Sequence, residues 1–108
     1  MKPWEIWDSP LFGGHPRVIV SNTRRVDLKS KVVVLKCVTL RPGQPFRLHE
    51  LNTTLDREDG LDTTTVCECD LFYTVEKAAL SNRRGLVVWE SQQDIARKMI
   101  QGLCVAGR

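Results

Sequence analysis

His15 and Arg17 stand one proline apart in the stretch FGGHPRVIVSN, residues 12–22. Imidazole is the side chain that changes charge near neutral pH without special tuning. A guanidinium offers paired donors that match the oxygens of a phosphate. A spacing of two sets both on one side of an extended chain, with Pro16 fixing the backbone between them. Such a pair can move a proton and steady an anion; the plain alternative is an ordinary turn with two solvated side chains. His49, beside Glu50, is a second imidazole, and two imidazoles about one phosphate would form an acid–base pair. Arg41 is better suited to a phosphate contact than to catalysis.

Charge is unevenly spread. From His15 to Arg47 there are eight lysines and arginines and one acid, Asp27, whereas from Asp56 to Glu76 there are seven acids and one base, Arg57. The basic stretch is what a polyanion partner needs; a solvated surface is the bland reading of the same run. The four cysteines, Cys37, Cys67, Cys69 and Cys104, lack the partners of a zinc site. They read as buried or half-buried thiols, and no metal or other cofactor is expected.

The chain of 108 residues is expected to form one domain over residues 1–108. No apolar run is long enough for a bilayer. The opening MKPWEIWDSP carries acids and a proline where a secretion signal needs an apolar core, so a cytoplasmic protein is expected. Strands are expected at 4–8, 17–21, 32–39, 47–52, 66–75 (bulged, for its apolar period is not strictly two) and 85–89. The stretch NTRRVDLKSK reads as a polar connection and 76–80 as a short helical turn. Ser91 and Asp94 resemble a capping signal for an amphipathic helix from Gln92 to Cys104. Short strands with one terminal packing helix suggest a mainly β fold, a small, partly closed barrel that removes exposed edges.

The order and spacing of these segments resemble the PemK/MazF family of toxins from bacterial toxin–antitoxin pairs. Pro3–Trp7 matches the family's opening Gly/Pro-(Asp/Glu)-(Ile/Val)-Trp strand, and GGHPRVIVSN follows its Gly-x-Arg-Pro strand apart from two positions. Thr39 stands where the third strand ends in threonine or serine, and VCECDLFYTVEK resembles the late strand and polar turn. The likeness runs over nearly the whole chain. It implies an SH3-like barrel, a homodimer, a cognate antitoxin as partner, and metal-independent cleavage of single-stranded RNA through the 2′-hydroxyl to a 2′,3′-cyclic phosphate. The family's catalytic arginine falls on His15 and its catalytic threonine or serine on Thr39. The sequence departs from the pattern there: histidine replaces arginine, Arg17 replaces the first valine after the proline, and the loop SPLFGG is shorter than the family's.

Metal-free RNA cleavage requires a base, a cation for the phosphorane and an acid for the leaving oxygen. His15, Arg17 and Thr39 are the candidates for these tasks, with Arg24, Arg25, Arg41 and His49 as candidate RNA contacts. Phe12 or Phe46 could stack on a base, although core or turn packing explains them equally simply. A second reading keeps the barrel without the chemistry, as a module binding RNA or a protein target in the manner of the structurally similar CcdB toxin.

Overall fold

The structure is a computed structural model that describes residues 1–10 and 13–104. Six strands carry the fold: β1 (Glu5–Ser9), β2 (His15–Ile19), β3 (Lys31–Thr39), β4 (Asn52–Leu55), β5 (Thr65–Glu76) and β6 (Ser81–Leu86). Two helices join them, α1 (Thr23–Leu28) after β2 and α2 (Trp89–Gln101) after β6. All pairings are antiparallel, in the order β4-β5-β3-β2-β1-β6. The sheet curls into the expected partly closed barrel, with the terminal helix packed on it. No described helix is long and apolar enough to cross a membrane.

β3 is central because its sequence, KVVVLKCVT, is apolar on both faces. Leu35 and Cys37 point into one buried cluster with Ile6, Val18, Leu55 and Cys67, and Ile95 of α2 seals it. Val32 and Val34 point the other way, into a second cluster with Ile19, Val75 and Val26 of α1. The bulge expected in the fifth strand is present: Lys36 pairs with Glu68 but Leu35 with Phe72, leaving Cys69–Leu71 without partners on β3.

β4 and β6 are the two edges of the sheet, and the turn that follows β4 meets β6. After β4 the chain makes a single 3-10 turn, Arg57–Asp59. Asp59 is buried, and its carboxylate accepts from the backbone N–H of Asp56 (3.0 Å) and of Val88 (2.9 Å). Its carbonyl oxygen lies so close to Gly85 that a Cβ there would sit 1.9 Å away. Arg84 spans the same seam, 3.2 Å from Asp8 and 3.9 Å from Asp62.

Several boundaries differ from the sequence reading. β2 is His15–Ile19 rather than 17–21, because pairing with Asp8 and Ser9 of β1 draws Pro16 and His15 into the strand. β4 is Asn52–Leu55 rather than 47–52, because the threonines of NTTL turn Thr53 and Leu55 inward while 47–50 stay exposed. β6 is Ser81–Leu86 rather than 85–89; its polar residues face solvent, and only Gly85 is buried. α2 begins three residues early, since Asp59 holds the N–H of its N-cap, Val88, and no local side chain caps it. It ends at Gly102, where a Cβ would lie 2.8 Å from that of Asp70. The polar connection contains α1, whose N-cap Asn22 accepts from the N–H of Arg25 at 3.0 Å and whose Val26 is its buried contact.

Candidate functional site

β2 begins at His15, and β3, running antiparallel beside it with Arg17 opposite Lys36, ends at Thr39. His15 and Thr39 therefore lie at the same end of one strand pair, both exposed. Gly13 and Gly14, at φ +76° and +75°, make the turn that delivers His15, and the N–H of Gly14 donates to the carbonyl of Ser9 at 3.1 Å. The imidazole lies over Gly13, with Cδ2 and Nε2 each 3.5 Å from where a Cβ would stand. A Cβ at 13 would meet the ring at ordinary van der Waals distance, so the positive φ alone resists a side chain there. Phe12 lies outside the described residues.

Arg17 shares the His15 face of β2 but is only 4% exposed. Its Nη1 donates to the carbonyl of Pro16 at 3.3 Å, and the guanidinium stands 5.7 Å from the centre of the Tyr73 ring. Its charge lies beneath the surface near His15 rather than on it. Lys36, its partner on β3, carries an accessible ammonium 3.7 Å from Glu68, and Lys31 lies 3.9 Å from Glu76. Part of the basic stretch is thus matched by the acidic stretch across β3 and β5, a cross-strand pairing of unlike charge.

The other expected contacts are spread over the molecule. Arg24 and Arg25 are exposed on α1, beyond the far end of β2, about 13 Å of strand from His15. His49, whose Nδ1 accepts from the N–H of Leu51 at 3.2 Å, precedes β4 at the end opposite Thr39. Two strands, β5 and β3, stand between β4 and β2, so the two histidines are not brought together. Arg41 is at the Thr39 end. Its backbone N–H donates to Oε1 of Gln44 and its carbonyl accepts the Gln44 N–H, both at 2.9 Å, which folds the RPGQP segment into a turn. That turn and the segment after β4 enclose a cleft of about 660 Å³ that includes Arg41, Phe46, Asp56, Arg57, Glu58 and Asp62. The sequence reading missed this cleft, because only the sheet order sets DREDGLD, residues 56–62, against RPGQP.

Away from this end, α2 is tied to β4 by a polar cluster. The Lys98 ammonium donates to the Asn52 carbonyl (2.7 Å) and to Asp94 (2.8 Å), and the Thr53 hydroxyl donates to Asp94 (2.7 Å). Burial pushes the Asp94 carboxyl up, but bonds from Lys98, Thr53 and Arg97 outweigh it and hold the group below its ordinary value. Glu5 is lowered in the same way: burial opposes, while Arg83, the Lys2 N–H and Trp7 prevail. Cys37, Cys67 and Cys69 are buried thiols. Hydrogen bonding with Cys37 and Cys69, with burial, pushes the Cys67 thiol well up.

The six-stranded antiparallel half-barrel with its terminal helix is a MazF/PemK-like toxin fold. Two solved structures similar to the chain are endoribonucleases from Mycobacterial species. One is in complex with its cognate antitoxin (21% identity, TM-score 0.80, 94% of this chain on 93% of that one). The other gives 20% identity and TM-score 0.81 over 100% and 95% of the two chains. A MazE–MazF structure from Deinococcus radiodurans is similar at 10% identity, TM-score 0.73, over 96% and 97%. No family model matches the sequence, and no curated protein matches it.

Proposed function

We propose that this chain is the toxin of a toxin–antitoxin pair and cuts single-stranded RNA without a metal. The observation that carries the reading is a fold that follows those endoribonucleases over nearly its full length, with His15 and Thr39 at the same end of adjacent strands, although the register points them to opposite faces of the sheet. His15 exchanges the proton with the 2′-hydroxyl or the leaving oxygen. The Thr39 hydroxyl donates to a phosphate oxygen. Arg17 stabilises the phosphorane as a fixed charge beneath it, where low dielectric strengthens its field. Arg41 contacts a neighbouring phosphate; Arg24, Arg25 and His49 guide the strand from farther off.

The same reading gives the protein a cognate antitoxin, a homodimeric state and a cytoplasmic location. Exposed Trp89, Ile100 and Leu28 are apolar surface for such partners to cover. The test is incubation of the protein with long single-stranded RNA in EDTA, with the fragment ends mapped. Cyclic phosphate and 5′-hydroxyl ends are expected. Intact RNA would favour the second reading, a barrel that binds RNA or a protein without cutting, which the burial of Arg17 and the histidine at position 15 support.

A further inference from the structure

The cleft beside Thr39 has the chemistry of a base-reading pocket. Its volume of about 660 Å³ is in the range of small-ligand sites and exceeds what one base fills. Phe46, at 48% exposure, presents a large apolar face on its rim. Three carboxylates, Asp56, Glu58 and Asp62, share the cleft with two guanidiniums, Arg41 and Arg57, a net charge of −1. That net negative charge disfavours a phosphate inside the cleft, whatever Arg41 contacts at its rim. The mixture suits a neutral ligand that presents both donors and acceptors.

Part of the polar set is committed to holding the walls. Asp56 Oδ1 accepts from the N–H of Glu58 at 3.1 Å, and the N–H of Leu40 donates to the carbonyl of Thr64 at 3.0 Å, joining the two sides. Among the described residues, Asp62 has a distant charge partner in Arg84 at 3.9 Å, and Glu58 lends the walls its N–H. Glu58, Asp62, Arg41, Arg57 and Phe46 thus line one open cleft that begins two residues after Thr39, with the Asp62 carboxylate almost wholly exposed to solvent.

We propose that this cleft binds a guanine base of the RNA next to the scissile phosphate. Guanine alone offers two adjacent donors, N1–H and the N2 amino group, that a carboxylate accepts side by side. Its O6 and N7 are the acceptor pair that an arginine reads. Single-stranded RNA is recognised in this way, with the base splayed out, stacked on an aromatic ring and bonded along its edges. The inference rests on the proposed function for its substrate, but its chemistry can be tested without cleavage.

The test is titration of the isolated protein with 5′-GMP, 5′-IMP and 5′-AMP, followed by backbone amide NMR. All three carry the same phosphate, and IMP lacks only the N2 amino group. GMP is expected to shift the amides of Arg41, Thr63 and Thr64 and to bind at least about 5-fold more tightly than IMP or AMP. Phe46→Ala should weaken GMP by about 5-fold or more, the usual worth of a stacked base. Equal binding of the three nucleotides, or shifts that avoid the cleft, overturns the inference. Mapping of RNA ends answers separately: cleavage with no nucleotide selectivity removes the guanine site and leaves the nuclease, whereas GMP selectivity without cleavage does the reverse.

Discussion

Replacing Gly85 by alanine tests how the barrel closes. The added Cβ would lie 1.9 Å from the Asp59 carbonyl oxygen, 3.0 Å from its carbon and 3.1 Å from Gly60 Cα. All three are backbone atoms, so no side chain can swing aside. Bringing the shortest contact to 3.0 Å requires the seam to open by about 1.1 Å (3.0 − 1.9). Overpacking alone costs about 1–3 kcal/mol. The same shift breaks the 2.9 Å bond from Val88 N–H to the Asp59 carboxylate, worth about 1.5–3 kcal/mol as a bond to a charged group. Together these amount to about 2.5–6 kcal/mol, which in a domain of this size lowers Tm by more than about 10 °C. Thermal unfolding followed by circular dichroism reads this directly. Gly43→Ala is the control: φ is +74° with nothing within 4 Å, so only the left-handed backbone resists, at about 1–2 kcal/mol. A Gly85→Ala protein that melts no lower than Gly43→Ala would refute the account of the seam.

His15→Ala should lower RNA cleavage by about 10²- to 10⁴-fold with the melting curve unchanged; His15→Arg should keep activity and lose the pH dependence near neutrality. Single-turnover assays across pH separate these outcomes, and full activity in the alanine variant would leave Thr39 and the arginines to act alone. Because the folded Asp94 and Glu5 carboxyls lie below their ordinary values, their contribution is present above the unfolded pKa and is lost as pH falls through the folded one. Tm should therefore drop as pH goes below about 4, and Asp94→Asn should be less stable at pH 7 with a shallower acid decline. RNA affinity should weaken more than about tenfold between about 50 and 200 mM salt if several phosphates are contacted; an affinity indifferent to salt, read by fluorescence anisotropy, would count against the arginine contacts.

The parts legible in the sequence are those where local pattern and tertiary role coincide. The β-branched run VVVLKCVT announced a strand, found buried on both faces, and the broken period of VCECDLFYTV announced the bulge. The errors arose where a distant residue decides. Ser91 looked like a cap, but Asp59, 29 residues before Val88, fixes where α2 starts. SNRRGL carries no apolar alternation because Gly85 needs no side chain to reach the seam. At the candidate site, residue type singled out His15 and the family resemblance singled out Thr39. Nothing singled out the cleft beside them, for its walls are 10 or more residues apart in sequence and meet only through the pairing of β3, β5 and β4.

The seam also sets when this molecule can become whole. β1, made before the other five strands described, has β2 on one side and β6, made after them, on the other, with Ile6 opposite Gly85 and Asp8 opposite Ser81. Chains are made and fold from the N-terminus onward, and contacts of such sequence separation form slowly because loop closure precedes any gain. Until Val88 has emerged, Asp59 has only one of its two partners, and Ile95 is not yet there to seal the first cluster. His15 and Thr39 can be set in place earlier by β2 and β3 alone, but on an open sheet. A nascent chain thus carries its candidate reactive end before it has a barrel to hold that end steady, and the last quarter of the sequence is what turns one into the other.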